Sequence, residues 1–426
     1  MLRSLLLASA AALAFLGCGG SENTATPQET SPATSTQAAP PAEEELLAVW
    51  NDLEGSELFW ADTETLEPVD GRSVSFSYYY SAVDRSPDGG ALALGADDRG
   101  YVQIVDLERM KALGTVDVGR GGYFERLHWV APDLLLASVS GVTSRAVAID
   151  PGARRVLSEH ELGGTVVASH PVEDGIVFLL APSDRIGPAR LAVFDGSGVR
   201  TAELGEIRAG WEQEGETEED YRARQSIPGL AVEPSGGRAL VVPAGNRVAE
   251  VDLETLEVRY HDLSEPVSLL GRLQDWLEPA AHAKTIDGPT RDAVWLENGL
   301  VAVSGEDYTA DGERMEAEPA GVLLIDPSDW SVRRVNDEAG WVAVREDTLL
   351  ASWWKDGEAG VTALDLEGNE RFRLTSGELV DFSYTAGGTL YAAGNEGRLY
   401  ELIDLATGET VGRTEPERPA WLVYYE

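Results

Sequence analysis

Residues 80–118 read YSAVDRSPDGGALALGADDRGYVQIVDLERMKALGTVDV. Apolar and β-branched runs (Tyr80–Asp84, Ala91–Gly95, Tyr101–Asp106 and Ala112–Val118) are separated by Ser86-Pro87-Asp88-Gly89-Gly90 and by Asp97-Asp98-Arg99-Gly100. Pro, Asp and Gly supply the backbone angles that tight turns need, so this is a meander of four short strands. The third run ends on an aspartate before a turn, and the same ending recurs at Asp62, Asp106, Asp150, Asp195, Asp252, Asp326, Asp365 and Asp404. The intervals are 44, 44, 45, 57, 74, 39 and 39 residues. A sheet of four short strands needs about 40 to 45 residues, so the chain reads as an all-β radial repeat, an eight-bladed β-propeller occupying residues 45–426.

Outward from that stretch the first hairpin returns at Val130-Ala131-Pro132-Asp133, at Pro171-Val172-Glu173-Asp174-Gly175 and at Val232-Glu233-Pro234-Ser235-Gly236-Gly237, each followed by an apolar strand. Later copies turn at Glu297-Asn298-Gly299, Arg345-Glu346-Asp347 and Thr385-Ala386-Gly387-Gly388. Seven repeats are complete. The eighth is split: Leu46–Trp50, Glu57–Ala61 and Leu66–Val69 lack an inner strand, and Trp421–Tyr425 is a strand without a blade. Joining the two closes the ring and removes its open edges; seven blades result if they do not join. The Ser-Pro-Asp-Gly turn and the Val-Asp-Leu-Glu-Thr-Leu ending at Val251–Leu256 resemble WD-repeat and Tyr-Val-Thr-Asn-type bacterial propellers. The resemblance implies architecture, because its motifs are turn chemistry.

The N-terminus has an address of its own. Arg3, an apolar run from Leu5 to Leu16, and Gly17-Cys18 form an export signal too short for a typical spanning helix. Phe15-Leu16-Gly17-Cys18 resembles the lipobox of bacterial lipoproteins, with Phe15 where that family usually has Leu. The resemblance implies cleavage after residue 17, a diacylglycerol on Cys18 and an extracytoplasmic, membrane-anchored protein; the alternative is a secreted one. Cys18 is the sole cysteine, so no internal disulfide is available. Residues 19–44 are rich in Ser, Thr, Ala and Pro and read as a disordered tether.

The chain carries 74 acidic and 33 basic residues, a net charge of -41. That charge repels nucleic acid and anionic headgroups, so nucleic acid is not an expected partner. Insertions at 206–226 and 264–290 follow the fourth strand of one blade, and excursions at Ser183–Ala189 and 306–319 join second to third strands. In an up-and-down meander both kinds of connection lie on the same face. Loops on a rigid scaffold commonly carry binding residues. The candidate binding face is therefore Trp211, Tyr221, Arg222, Arg224, Trp276, His282, Lys284, Asp287, Arg291, Asp307 and Tyr308. Leu269, Leu270, Leu273, Trp276 and Leu277 recur at helical spacing, which predicts one short inserted helix.

Catalytic chemistry is poorly supported. The five histidines lack pair spacing. Glu306, Asp307, Asp311 and Glu313 are weak calcium candidates without the Asp-x-Asp-x-Asp-Gly spacing that closes carboxylates around one ion. No Gly-x-Ser-x-Gly elbow and no phosphate-binding loop occurs. The expectation is a non-catalytic platform, without cofactor, for an envelope protein or a polysaccharide. The alternative is a propeller enzyme with His282, Lys284, Asp287 and Arg291 at the channel mouth.

Overall fold

A computed structural model gives the fold. It describes residues 46–423 except 53–54, 79, 98, 120–121, 142, 215–221, 265–284, 312–313, 356–357 and 395–396. The expected signal, the lipidation site Cys18, the tether and the inserted helix lie outside the described residues.

Eight small sheets form a ring. Blade 1 takes β1 (Leu46–Asp52), β2 (Gly55–Ala61) and β3 (Pro68–Phe76). Blade 2 is β4 (Ala82–Arg85), β5 (Ala91–Ala96), β6 (Tyr101–Asp106) and β7 (Lys111–Asp117). Blade 3 is β8 (Gly122–Ala131), β9 (Leu134–Gly141), β10 (Arg145–Asp150) and β11 (Arg155–Glu161). Blade 4 is β12 (Thr165–Val172), β13 (Gly175–Ala181), β14 (Gly187–Phe194) and the long β15 (Val199–Glu214), after which comes the extra strand β16 (Arg222–Ser226). Blade 5 is β17 (Gly229–Val232), β18 (Arg238–Val242), β19 (Arg247–Asp252) and β20 (Val258–Asp262). Blade 6 is β21 (Thr285–Trp295), β22 (Val301–Asp311), β24 (Val322–Asp326) and β25 (Ser331–Asn336), with β23 (Arg314–Pro319) inserted. Blade 7 is β26 (Trp341–Arg345), β27 (Thr348–Lys355), β28 (Glu358–Asp365) and β29 (Glu370–Ser376). Blade 8 is β30 (Leu379–Ala386), β31 (Thr389–Gly394), β32 (Tyr400–Asp404) and β33 (Thr410–Thr414). The last strand, β34 (Ala420–Leu422), is the inner strand of blade 1.

The repeated aspartates build one kind of turn. The carboxylates of Asp62, Asp106, Asp150, Asp195, Asp252 and Asp404 accept the backbone N–H three residues on; in Asp326 the reach is two residues and in Asp365 four. Four residues after five of them the chain turns left-handed without glycine, at Leu66, Met110, Arg154, Leu256 and Trp330, with φ between 44° and 62°. The carboxylate bonds offset that strain.

The core sits between blades and not inside any one of them. Eight separate apolar clusters occur, one for each blade interface. The cluster joining blade 8 to blade 1 contains Tyr391, Ala393 and Tyr400 with Leu46, Ala48 and Phe59. β34 pairs antiparallel with β1, Trp421 opposite Val49, which decides for eight blades over seven. The Tyr400 hydroxyl donates to the Ala420 carbonyl at 2.6 Å, and Val423 N–H donates to Leu47 at 2.8 Å.

Candidate functional site

Parts of the connections at 206–226, 264–290 and 306–319 form one additional sheet, which corrects the expectation of loops there, whereas Ser183–Ile186 remains a turn. β14 and β15 remain paired as far as Gly187 and Ala209. From Gly210 to Glu214, β15 pairs with β16 instead. β16 runs parallel to the start of β21, with Arg222 beside Thr285 and Arg224 beside Asp287. From Gly288 onward β21 pairs with β22, whose far half carries β23 on its other side. This canopy sheet joins the outer strand of blade 4 to the inner strand of blade 6, bypassing blade 5.

Two glycines sit where strands change partner. Gly288 has φ +119°, and a Cβ there would lie 1.9 Å from the Gln225 carbonyl oxygen. Gly210 has φ +126°, and its Cβ would lie 2.5 Å from the Arg185 carbonyl oxygen. No side chain fits either position, so the canopy depends on both residues.

Beneath the junction lies a buried ion pair. The Arg291 side chain is 0% exposed and donates to Asp307 Oδ1 at 2.6 Å. It donates as well to the carbonyls of Thr290 at 2.7 Å and Glu306 at 3.1 Å, while its Nε has no partner among the described residues. Next along β22, the Tyr308 hydroxyl donates to the Glu306 carboxylate. Burial, and then Glu306, push the Tyr308 hydroxyl above its ordinary range. Asp292 keeps contact with solvent although protein surrounds it. Desolvation raises its carboxyl, Glu306 adds to the shift and Arg291 opposes it.

The sequence candidates separate into three groups. Trp211 is half-buried on β15, and Arg224 is exposed on β16 at 3.8 Å from Glu212. Arg222 and Asp287 occupy register positions in the canopy. Arg291, Asp307 and Tyr308 are structural partners at its base, so Arg291 is withdrawn from the channel-mouth catalytic set. Tyr221, Trp276, His282 and Lys284 lie outside the described residues. Of the calcium candidates, Asp307 is engaged by Arg291 and Glu306 by Tyr308; the side chains of Asp311 and Glu313 fall outside those described.

A second polar cluster, missed in the sequence, lies at the start of β8. Asp97 accepts from the Ser81 hydroxyl at 2.5 Å and from the Phe124 N–H at 2.7 Å. Nearby Glu125 is held above the ordinary carboxylate range by burial, against the lowering effect of bonds from Tyr123 and Ser140. Its folded-state pKa exceeds the unfolded one, so ionisation costs stability as pH rises through the folded value. Glu125→Gln is therefore expected to stabilise the protein at pH 7 and to lose that gain below the unfolded pKa, near 4.3; thermal unfolding across that range checks it. Further along β8, His128 Nε2 donates to the Val172 carbonyl at 2.9 Å, with Nδ1 3.8 Å from Asp84. Single histidines and carboxylates scattered among repeats give no spacing signal for such contacts.

No protein-family model and no curated protein matches the chain by sequence. Similar solved structures are WD-repeat and other β-propeller proteins. One is the dihydro-heme d1 dehydrogenase NirN in complex with DHE: 13% identity, TM-score 0.59, covering 91% of this chain and 77% of that one. Another is apo AztD from Citrobacter koseri, with 13% identity, TM-score 0.45, and coverage of 89% and 98%. The likeness is one of fold.

Proposed function

We propose that this chain is an extracytoplasmic, lipid-anchored binding platform that holds an envelope protein or a polysaccharide on its canopy face without catalysing a reaction. The supporting observation is the canopy itself: strands from blades 4 and 6, remote in the repeat, combine on one face into a sheet that ring closure does not require. A rigid ring offers little conformational entropy to lose on binding, which favours a presented surface. Trp211 supplies a half-buried aromatic body and Arg224 an exposed charge, the residue types that anchor and orient partners.

The test is a crosslinked pull-down from envelopes of cells expressing the full chain, compared with Gly288→Val and Cys18→Ala. Gly288→Val is expected to abolish partner retention, because a side chain there enters the Gln225 backbone. Cys18→Ala is expected to move the protein out of the membrane fraction. Retention of the same partners by a folded Gly288→Val protein overturns the platform; an unchanged membrane fraction for Cys18→Ala overturns the anchor.

A further inference from the structure

On the canopy-bearing side of the ring, but on blade 2, a cavity of about 660 Å³ is lined by Ser77, Arg99, Tyr101, Thr115, Asp117 and Gly119. Connectivity places it there: Ser77 and Gly119 belong to connectors between blades, and Arg99 belongs to the turn between β5 and β6. Tyr101 and Asp117 are directly opposed across β6 and β7, with Thr115 two residues below. The Tyr101 ring stands edge-on to Tyr78 at 5.1 Å. Tyr78 in turn donates to Gln103 at 3.2 Å, and the Gln103 amide donates to the Ile104 and Gly114 carbonyls. The aromatic platform is therefore fixed before any ligand arrives.

Arg99 supplies the groove's cation. Arginines such as Arg247, Arg371 and Arg413 are held by carboxylates. Arg99 is exposed, and among the described residues its guanidinium makes no hydrogen bond and no ion pair. In a chain of net charge -41, a guanidinium left unpaired beside a preset ring leaves its directional donors available for a ligand. Across the groove Asp117 accepts the Gly119 N–H at 2.8 Å through Oδ1, and its other oxygen remains an acceptor.

We infer that this groove binds a short stretch of a neutral polysaccharide. This goes beyond the platform reading: a glycan held here is a second ligand, separate from the partner retained on the canopy. A sugar ring presents an apolar C–H face, which matches the Tyr101 ring, and rimming hydroxyls that need donors and acceptors together. Arg99 donates, Asp117 accepts, and Ser77 and Thr115 do either. An apolar ligand leaves these groups unsatisfied, and a polyanion meets the field of the whole protein. The cavity volume lies in the range of small-ligand sites, and its surface position lets a polymer run through.

The full chain is titrated calorimetrically with glucose, mannose, xylose and N-acetylglucosamine oligomers, with a uronic-acid oligomer as the charged comparison. One neutral series is expected to bind. Arg99→Ala and Tyr101→Ala should each weaken it by at least about ten-fold, and Tyr101→Phe by no more than about two-fold. Arg99 is exposed, so its variant stays informative if Tyr101→Ala unfolds. Binding retained in Gly288→Val supports the groove, whose residues are distant from the canopy in the fold. Absence of any neutral binder, preference for the uronic oligomer, or full affinity in Arg99→Ala overturns the inference. Sugar binding lost in Gly288→Val and kept in Arg99→Ala places the glycan on the canopy, which sinks the groove and leaves the platform standing.

Discussion

A chain ending at Pro419 is expected to lose on the order of 5 kcal/mol of stability and the sharpness of its unfolding transition. The missing strand carries three register pairs to β1 and the Val423 N–H bond to Leu47. Such bonds contribute about 1 kcal/mol each. Val423 and Ala420 are buried, and loss of a buried valine side chain adds about 1.5–3 kcal/mol. The Tyr400 hydroxyl, which is buried, also loses its acceptor at Ala420. Beyond these sums, the inner edge of β1 is left bare and blades 8 and 1 are no longer tied, so unfolding can start at the gap. Denaturant unfolding followed by tryptophan fluorescence and by circular dichroism checks this. Coincident transitions at the full-length midpoint would mean that closure by the terminal strand is dispensable.

Asp307→Ala is expected to cost about 3–5 kcal/mol, because it leaves the guanidinium of Arg291 buried without its counter-charge. The double variant Arg291→Met, Asp307→Leu is expected to recover most of that loss, since replacing both members of a buried ion pair with apolar groups is often neutral. Chemical denaturation of the three proteins gives the comparison. The damage should be concentrated at the canopy base, where hydrogen exchange of β21 and β22 is expected to accelerate before that of β4 or β26. A single variant as stable as the parent would show that the pair is open to water.

The blade count was legible because it rests on local chemistry. An aspartate that caps its own turn must sit at the end of the third strand in every blade, so Asp62 through Asp404 mark the period whatever else varies. The split blade was legible for a similar reason: three strands at one terminus and one at the other can satisfy their edges only together. The canopy was half legible. Four connections were assigned to one face from topology, yet Arg314–Pro319 and Arg222–Ser226 were read as loops. The alternation in Arg314-Met315-Glu316-Ala317-Glu318 was the available strand signal, and the acidic content hid it. Pairing between β16 and β21 joins segments 60 or so residues apart in parallel, and no local pattern announces such a partner. The groove at Arg99 and Tyr101 was invisible for a different reason. Its residues are ordinary turn and strand-end types, and only their convergence across two strands and two connectors makes a cavity.

The junction of β15, β16 and β21 also gives the ring two routes for mechanical load. Force applied to the canopy passes from blade 4 to blade 6 through the added sheet as well as through blade 5. Stretching or local opening of blade 5 alone therefore leaves its neighbours coupled. Under load applied to the canopy, blade 5 is therefore expected to yield last, not first.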